Sequence, residues 1–78
     1  MPESKTLAAN ILRLRKKMNK TQYEFAAESG ISVEILSLLE RQKTDPKLST
    51  IQKIAAYTGY TVSELLTKKE DAPKEKFP

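Results

Sequence analysis

The sequence predicts an all-α fold, a compact domain of five helices. Apolar residues recur every three or four positions along most of the chain, which is the spacing of one face of an α-helix. Two Thr-x-x-Glu segments, at 21–24 and 61–64, have the pattern of a capping box that opens a helix. The two glycines, Gly30 and Gly59, each follow an apolar stripe, where a left-handed residue commonly ends a helix.

The composition limits how such a domain can be stabilised and what it can bind. Its 78 residues make one domain near the lower limit for a self-sufficient core, and they include neither Cys nor His. Disulfides and zinc sites are therefore excluded, and we expect helix packing to provide the stability without a cofactor. The apolar residues never form a continuous run, so we predict no signal peptide and no membrane contact. A cytoplasmic protein fits this composition best.

The first helix is predicted to begin at Ser4 or Thr6 and to end at Met18. Its buried face is formed by apolar residues spaced four, three and four positions apart, which are Leu7, Ile11, Leu14 and Met18. Asn19 is suited to the left-handed conformation that ends a helix.

The next twenty residues predict two short helices, at about 22–29 and 33–41, joined by a tight turn. Gly30 ends the first of this pair, and Ser32 caps the start of the other. The inward stripe of the third helix is Leu36 and Leu39. Together the pair forms a helix-turn-helix, in which the second helix projects from the body of the protein toward a groove.

The chain is then broken at Asp45-Pro46, since a residue before proline avoids the helical conformation. A fourth helix is predicted over 48–58, and a fifth opens at the second capping box. The residues expected to be buried are Leu48, Ile51, Ile54 and Ala55 in the fourth helix and Val62, Leu65 and Leu66 in the fifth. Residues 1–67 thus form the predicted domain, and the charged, proline-containing segment 68–78 is predicted to be a disordered tail.

This pattern resembles the phage repressor and Cro type, or Xre type, of the helix-turn-helix family over about residues 7–66. The residues that carry the resemblance are Ile11, Leu14, Arg15, Thr21, Gln22, Ala26, Gly30, Ser32, Leu36, Glu40, Pro46, Ile54, Ala55, Gly59, Glu64 and Leu65. The resemblance implies a lambda-repressor-like domain that binds operator DNA as a homodimer, with its third helix in the major groove. It also implies a sequence-specific transcriptional regulator of the repressor type, with double-stranded DNA as its partner.

Two further roles follow from the resemblance. Arg15 would form a shielded ion pair with Glu40, which ties the first helix to the end of the third. Gln22 would contact the phosphate or sugar of the DNA backbone. Taken alone, Arg15 is compatible with a surface cation, and Gln22 with a good helix former in an exposed first turn.

Helical geometry places four residues on the outward face of the third helix, where bases would be read; they are Val33, Glu34, Ser37 and Leu38. Family members usually carry polar residues at several of these positions, whereas this chain has two aliphatic residues and a glutamate. Aliphatic side chains can contact the thymine methyl group, and a glutamate can accept a hydrogen bond from cytosine. An alternative function is a protein-protein interaction module that uses the apolar patch of Val33, Ile35 and Leu38. A third interpretation is that a few exposed aliphatic residues are ordinary.

The charge of +4 is unevenly distributed, with six basic residues in positions 1–20 and none in 21–40. Basic residues that flank a helix-turn-helix suit contacts with DNA phosphates, and solvated faces have the same composition. The predicted contacts with the DNA backbone are Lys16, Lys17, Lys20, Thr21, Gln22, Arg41, Lys43 and Thr44.

Apolar and aromatic side chains are unusually frequent near the end of the domain, and this apolar surplus predicts a dimer interface. Its residues are Tyr57, Tyr60, Val62 and Leu66. These side chains exceed what the short fifth helix is expected to bury within one subunit, and a changed core is the alternative. No enzyme is predicted, because the chain lacks His, Cys and a phosphate-cradling glycine loop. We expect no small-molecule substrate either.

Overall fold

The computed structural model describes residues 2–68, with side chains from Lys5 onward, and this range forms five helices without a strand. Their bounds are α1 Pro2–Lys17, α2 Gln22–Ser29, α3 Val33–Glu40, α4 Leu48–Thr58 and α5 Val62–Leu65. The predicted all-α class is therefore confirmed. The predicted tail, 68–78, lies outside the described residues except for Lys68. Between residues 2 and 68, no helix is long and apolar enough to cross a membrane.

Short-range capping fixes where three helices begin. The Thr21 hydroxyl accepts a hydrogen bond from the Glu24 amide at 3.1 Å, and the Glu24 carboxylate accepts one from the Thr21 amide at 2.9 Å. Residues 61–64 repeat this capping box at the start of α5. Ser32 caps α3 by accepting a hydrogen bond from the Ile35 amide at 3.1 Å. Because these side chains satisfy amides that a helix leaves unpaired, all three predicted starts are confirmed.

Residues with a left-handed backbone conformation lie at the ends of several helices. Gly30 and Gly59, with φ of 87° and 80°, end α2 and α4 as predicted, and Asn19, with φ of 58°, follows α1. The third helix is one residue shorter than predicted, because Arg41 is its C-cap and Gln42 then takes a φ of 60°. Glutamine is not a residue type that favours this conformation, so residue type did not indicate the turn.

The core lies among all five helices, since α1 packs against α3 and α5, and α4 packs against α2 and α5. Its largest fully buried side chains are Leu7, Ile11, Leu14, Phe25, Leu36, Ile54 and Leu65. Met18, also predicted to face inward, is only partly buried at the core's edge. The prediction that Leu48 is buried is wrong, because 61% of this residue is exposed. Leu48 is the first residue of α4, next to exposed Lys47, and the helix turns its apolar side to the core only from Ile51 onward.

A buried asparagine ties the first helix to the last. Asn10 is only 3% exposed on α1, and its Nδ2 donates to the carbonyls of Leu65 at 2.7 Å and Thr67 at 2.9 Å. These carbonyls lie at the end of α5, where a helix leaves carbonyl groups without internal partners. The sequence carried one signal for this contact, a polar residue on the same helical face as Leu7 and Leu14.

Candidate nucleic-acid interface

The outward face of α3 and the start of α2 together form a surface groove. Its volume is about 480 Å³, and its lining residues are Gln22, Val33, Glu34, Ser37, Leu38 and Arg41. All four residues predicted to read bases therefore lie on one surface, together with two residues predicted to contact the DNA backbone. Helical geometry accounts for this, because positions 33, 34, 37 and 38 recur at the helical spacing of about 3.6 residues per turn.

The groove presents apolar, acidic and hydroxyl groups side by side. Val33 and Leu38 are half-buried in its wall, and Glu34 is exposed in the first turn of α3. Arg41 is exposed at the end of the groove, where its Nε donates to the Ser37 carbonyl at 3.3 Å. Such a surface can make apolar contact with thymine methyl groups and can accept a hydrogen bond from a cytosine amino group.

The apolar patch that would favour a protein partner is divided between two depressions. Val33 and Leu38 line the groove, whereas Ile35 lines a separate depression of about 270 Å³ with Leu39. Thr44, one of the predicted contacts with the DNA backbone, also belongs to this second depression. The three side chains of the predicted patch thus share no common groove, and this face gives no specific support for a protein-binding module.

A partly buried ion pair holds the end of α3 against α1. Arg15 donates to Glu40 from Nε at 2.7 Å and from Nη2 at 3.0 Å, and its Nη1 donates to the Lys20 carbonyl at 2.9 Å. The side chains of Arg15 and Glu40 are 14% and 5% exposed, and the hydrogen bond to Glu40 raises the pKa of Arg15. Gln22 also donates to Glu40, from Nε2 at 2.8 Å. The structure therefore brings together the predicted pair and adds Gln22, a link that residue spacing did not indicate.

Lys20 is held by a second polar cluster, near the other end of α2. Its Nζ lies 3.1 Å from Glu28 Oε2, and the Tyr57 hydroxyl donates to the other oxygen of the same carboxylate. The hydrogen bond from Tyr57, and secondly that from Lys20, lowers the pKa of Glu28 below its usual value. Burial, and secondly the hydrogen bond to Glu28, raises the pKa of Tyr57 to about 12. A phosphate contact by Lys20 would therefore compete with an existing ion pair.

The other predicted backbone contacts lie at helix ends and in the loop after α3. Lys16 and Lys17 lie exposed in the last turn of α1, and Lys43 is exposed just beyond α3. The Lys43 amide donates to the Leu38 carbonyl at 2.8 Å, which fixes the start of this loop beside the groove. The Thr21 hydroxyl already caps α2. These cations flank the helix-turn-helix pair in the sequence, and phosphate groups are the ligands that they suit.

Tyr60 belongs to the core rather than to an exposed apolar surplus. It is 8% exposed in the turn between α4 and α5, so the prediction that it exceeds what one subunit can bury is wrong. Tyr57 packs edge-on against Phe25, with ring centroids 5.0 Å apart and ring planes at 87°. Val62 and Leu66 are half-buried against the same core. The dimer interface stays a prediction, and it depends on the exposed parts of Tyr57, Val62 and Leu66.

Comparison with known proteins places these features among the helix-turn-helix proteins. The family model described as helix-turn-helix matches residues 11–65. The chain is 36% identical over 73 residues to the uncharacterized HTH-type transcriptional regulator y4dJ of Sinorhizobium fredii. The match covers 94% of this chain and 95% of that relative. A solved structure, that of the hypothetical transcription factor NHTF from Neisseria, has a TM-score of 0.84 at 28% identity and covers 90% of this chain and 79% of that one.

Two longer relatives match the chain over part of their length. The chain is 38% identical over 60 residues to the HTH-type transcriptional regulator DdrOP3 of Deinococcus deserti, covering 77% of this chain and 46% of that one. It is 33% identical over 72 residues to the immunity repressor protein of Bacillus phage phi105, covering 86% of this chain and 50% of that one. The chain thus spans about half the length of these two relatives.

Proposed function

The chain belongs to the helix-turn-helix family, and we propose that it regulates transcription by sequence-specific binding of double-stranded DNA. The observation that carries this proposal is the groove, in which all four predicted base-reading residues meet on the outward face of α3. One relative named as an HTH-type transcriptional regulator and another named as a phage immunity repressor protein support regulation of the repressor type.

In this proposal α3 lies in the major groove, which is wide enough for one α-helix. Val33 and Leu38 contact thymine methyl groups, and Ser37 donates to or accepts from a base edge. Glu34 accepts a hydrogen bond from cytosine, which offsets the repulsion between its carboxylate and nearby phosphates. Much of the affinity comes from phosphate contacts by the cations that flank the motif, and these contacts carry no sequence information.

The proposal extends to a symmetric dimer and to the compartment. Tyr57, Val62 and Leu66 would join two copies, so that the two α3 helices lie about 34 Å apart and meet half-sites one turn of DNA apart. Residues 1–67 would form the DNA-binding domain, with 68–78 as a charged tail. The cytoplasm is its proposed location, because the relatives come from bacteria and a phage, whose DNA is read there.

A binding titration with two duplexes tests the proposal. Selection from a randomised duplex library on the purified protein supplies a specific sequence, and a scrambled duplex of equal composition is the comparison. If the dimer neutralises about six phosphates, log K should fall against log salt concentration with a slope near −5 for both duplexes. Binding without salt dependence and without preference for the selected sequence would contradict the proposal.

Two matched pairs of variants separate base reading from phosphate binding. Leu38→Ala should reduce the ratio of specific to scrambled affinity roughly tenfold, which is the scale of one good base contact. It should not change the salt slope. Leu48→Ala, which removes an exposed leucine on α4, should change neither quantity. Lys43→Glu should weaken binding to both duplexes alike and flatten the slope, whereas Lys53→Glu on the exposed side of α4 should have a much smaller effect.

A further inference from the structure

Glu40 makes a contact that its ion pair with Arg15 does not require. Its Oε1 accepts hydrogen bonds from both Arg15 Nη2 and Gln22 Nε2, at 3.0 and 2.8 Å. Gln22 is also one of the residues that line the groove on the outward face of α3. One carboxylate therefore joins a partly buried cation on α1 to a polar side chain at the proposed DNA surface.

The surroundings of Glu40 leave its carboxylate little freedom. Its side chain is 5% exposed, and both oxygens accept hydrogen bonds from the guanidinium of Arg15. Arg15 is fixed in turn, because its Nη1 donates to the Lys20 carbonyl at 2.9 Å. The planar fork of an arginine matches the two oxygens of a carboxylate, so the position of Glu40 Oε1 is set from α1.

This fixed acceptor determines which way the Gln22 amide points. An ionised carboxylate only accepts hydrogen bonds, so the NH₂ group of Gln22 faces Glu40, and the amide cannot reverse without losing that contact. One Nε2 hydrogen is used by Glu40, which leaves the second hydrogen to donate. A DNA phosphate oxygen is an acceptor of the required kind.

We propose that Glu40 is a positioning residue for DNA binding, which acts through Gln22 by holding its amide at the groove wall with one N–H directed to a phosphate oxygen. The inference rests on the proposed function, because it assumes that the groove binds DNA. It differs from a purely structural role, since a structural ion pair would affect binding whether or not Gln22 carries an amide. Holding the amide in place before binding avoids the entropy loss of ordering it in the complex.

A double-mutant cycle on DNA affinity tests this coupling. Glu40→Gln keeps the shape of the side chain but replaces one acceptor oxygen by an NH₂ donor. The side chain can then no longer accept from both Arg15 Nε and Arg15 Nη2, and the paired hydrogen bonds that fix the acceptor of Gln22 are lost. In the otherwise unchanged protein we expect a loss of affinity of roughly tenfold, the scale of one hydrogen bond to a charged group. In the Gln22→Ala background the same change should weaken binding less than about twofold.

Two controls accompany the cycle. Gln52→Ala removes a glutamine that is exposed on α4, and in that background Glu40→Gln should still weaken binding roughly tenfold. Gln22→Ala should leave the slope of log K against log salt unchanged, because a neutral donor releases no counterion. All titrations are made below the melting temperature of each variant. If Glu40→Gln melts below the assay temperature, Arg15→Lys replaces it in the cycle, because an ammonium is a point charge without the planar fork that fixes both carboxylate oxygens.

The outcomes distinguish this inference from the function on which it rests. Equal losses of affinity from Glu40→Gln with and without the Gln22 amide would overturn the positioning role and leave DNA binding intact. A wild-type protein that binds no duplex at all would overturn the proposed function and the positioning role with it. A loss that disappears only in the Gln22→Ala background supports the inference.

Discussion

Two polar clusters hold α2 at its opposite ends, and they differ mainly in their exposure to water. At the start of the helix, Gln22 joins the pair formed by Arg15 and Glu40, whose carboxylate side chain is 5% exposed. Near its end, Glu28 pairs with Lys20 and accepts from Tyr57, and its side chain is 43% exposed. Both clusters contain one carboxylate, one basic residue and one neutral donor.

The difference shows that similar chemistry has different energetic consequences at the two sites. In the buried cluster, loss of one partner leaves a charge away from water, so the cluster is sensitive to any single change. In the exposed cluster, water and salt replace a lost partner, so the same kind of change has a small effect. Arginine suits the first site because its rigid fork meets both oxygens of the carboxylate, and lysine suits the second as a mobile point charge.

The largest expected effect is on stability, when each cluster loses its cation. Arg15→Met should lower the free energy of unfolding by about 3–5 kcal/mol, because it leaves the Glu40 carboxylate buried without a counterion. Lys20→Met should lower it far less, because Glu28 stays hydrated. Urea unfolding followed by circular dichroism measures both values.

A double replacement serves as the control for this first comparison. When Arg15→Met is combined with Glu40→Leu, the buried charge disappears, and stability should return to within about 1 kcal/mol of the original value or exceed it. DNA affinity should nevertheless stay low, because Gln22 has lost the carboxylate that holds it. A double variant as unstable as Arg15→Met alone would show that packing, not the stranded charge, causes the loss.

The second expected effect concerns the pH dependence of stability at the exposed cluster. The pKa of Tyr57 is raised from 10.0 to about 12 in the folded protein. Its contribution to the free energy of unfolding is therefore complete below pH 10 and is lost as pH rises through about 12. The pKa of Glu28 is lowered from its usual 4.5, so its contribution is lost as pH falls below about that value. Tyr57→Phe should reduce both losses. The measurement is the free energy of unfolding of the original protein and of Tyr57→Phe at each pH. A difference between the two that stays constant across the whole pH range would contradict this prediction.

The smallest expected effect is a gain of DNA affinity from breaking the exposed pair. Glu28→Gln removes a negative charge and releases Lys20 to reach a phosphate, so affinity at low salt should rise roughly two- to fivefold. The gain should fade as salt is added, because exposed charges are screened. Adding Lys20→Gln should abolish it, and a gain that survives this second change would assign the effect to Glu28 alone.

Helix boundaries were predictable where the interacting groups lie within a few residues of each other. Thr21 and Glu24 satisfy each other's amides across three positions, so the sequence contains the whole interaction. Gly30 likewise takes a left-handed φ that its residue type favours. The part of the groove that α3 forms was predictable for the same reason, since its residues follow one helical spacing.

Contacts between distant residues were not predictable from spacing. The burial of Tyr60 and the exposure of Leu48 depend on which helices pack beside them, and neither residue type nor period specifies that. The pairing of Arg15 with Glu40 was expected from family resemblance alone. Lys20 looked like a free phosphate-binding cation because its partner, Glu28, lies eight positions away, across the start of another helix.

The hydrogen bonds of Asn10 connect the first helix to the last one. They join α1 to carbonyl groups 55 and 57 positions further along the chain, at Leu65 and Thr67. With four residues, α5 is too short to remain helical in water by itself. Its order therefore depends on its contacts with α1 and α4. We expect the amide hydrogens of α5 to exchange with solvent when the contact with α1 is lost.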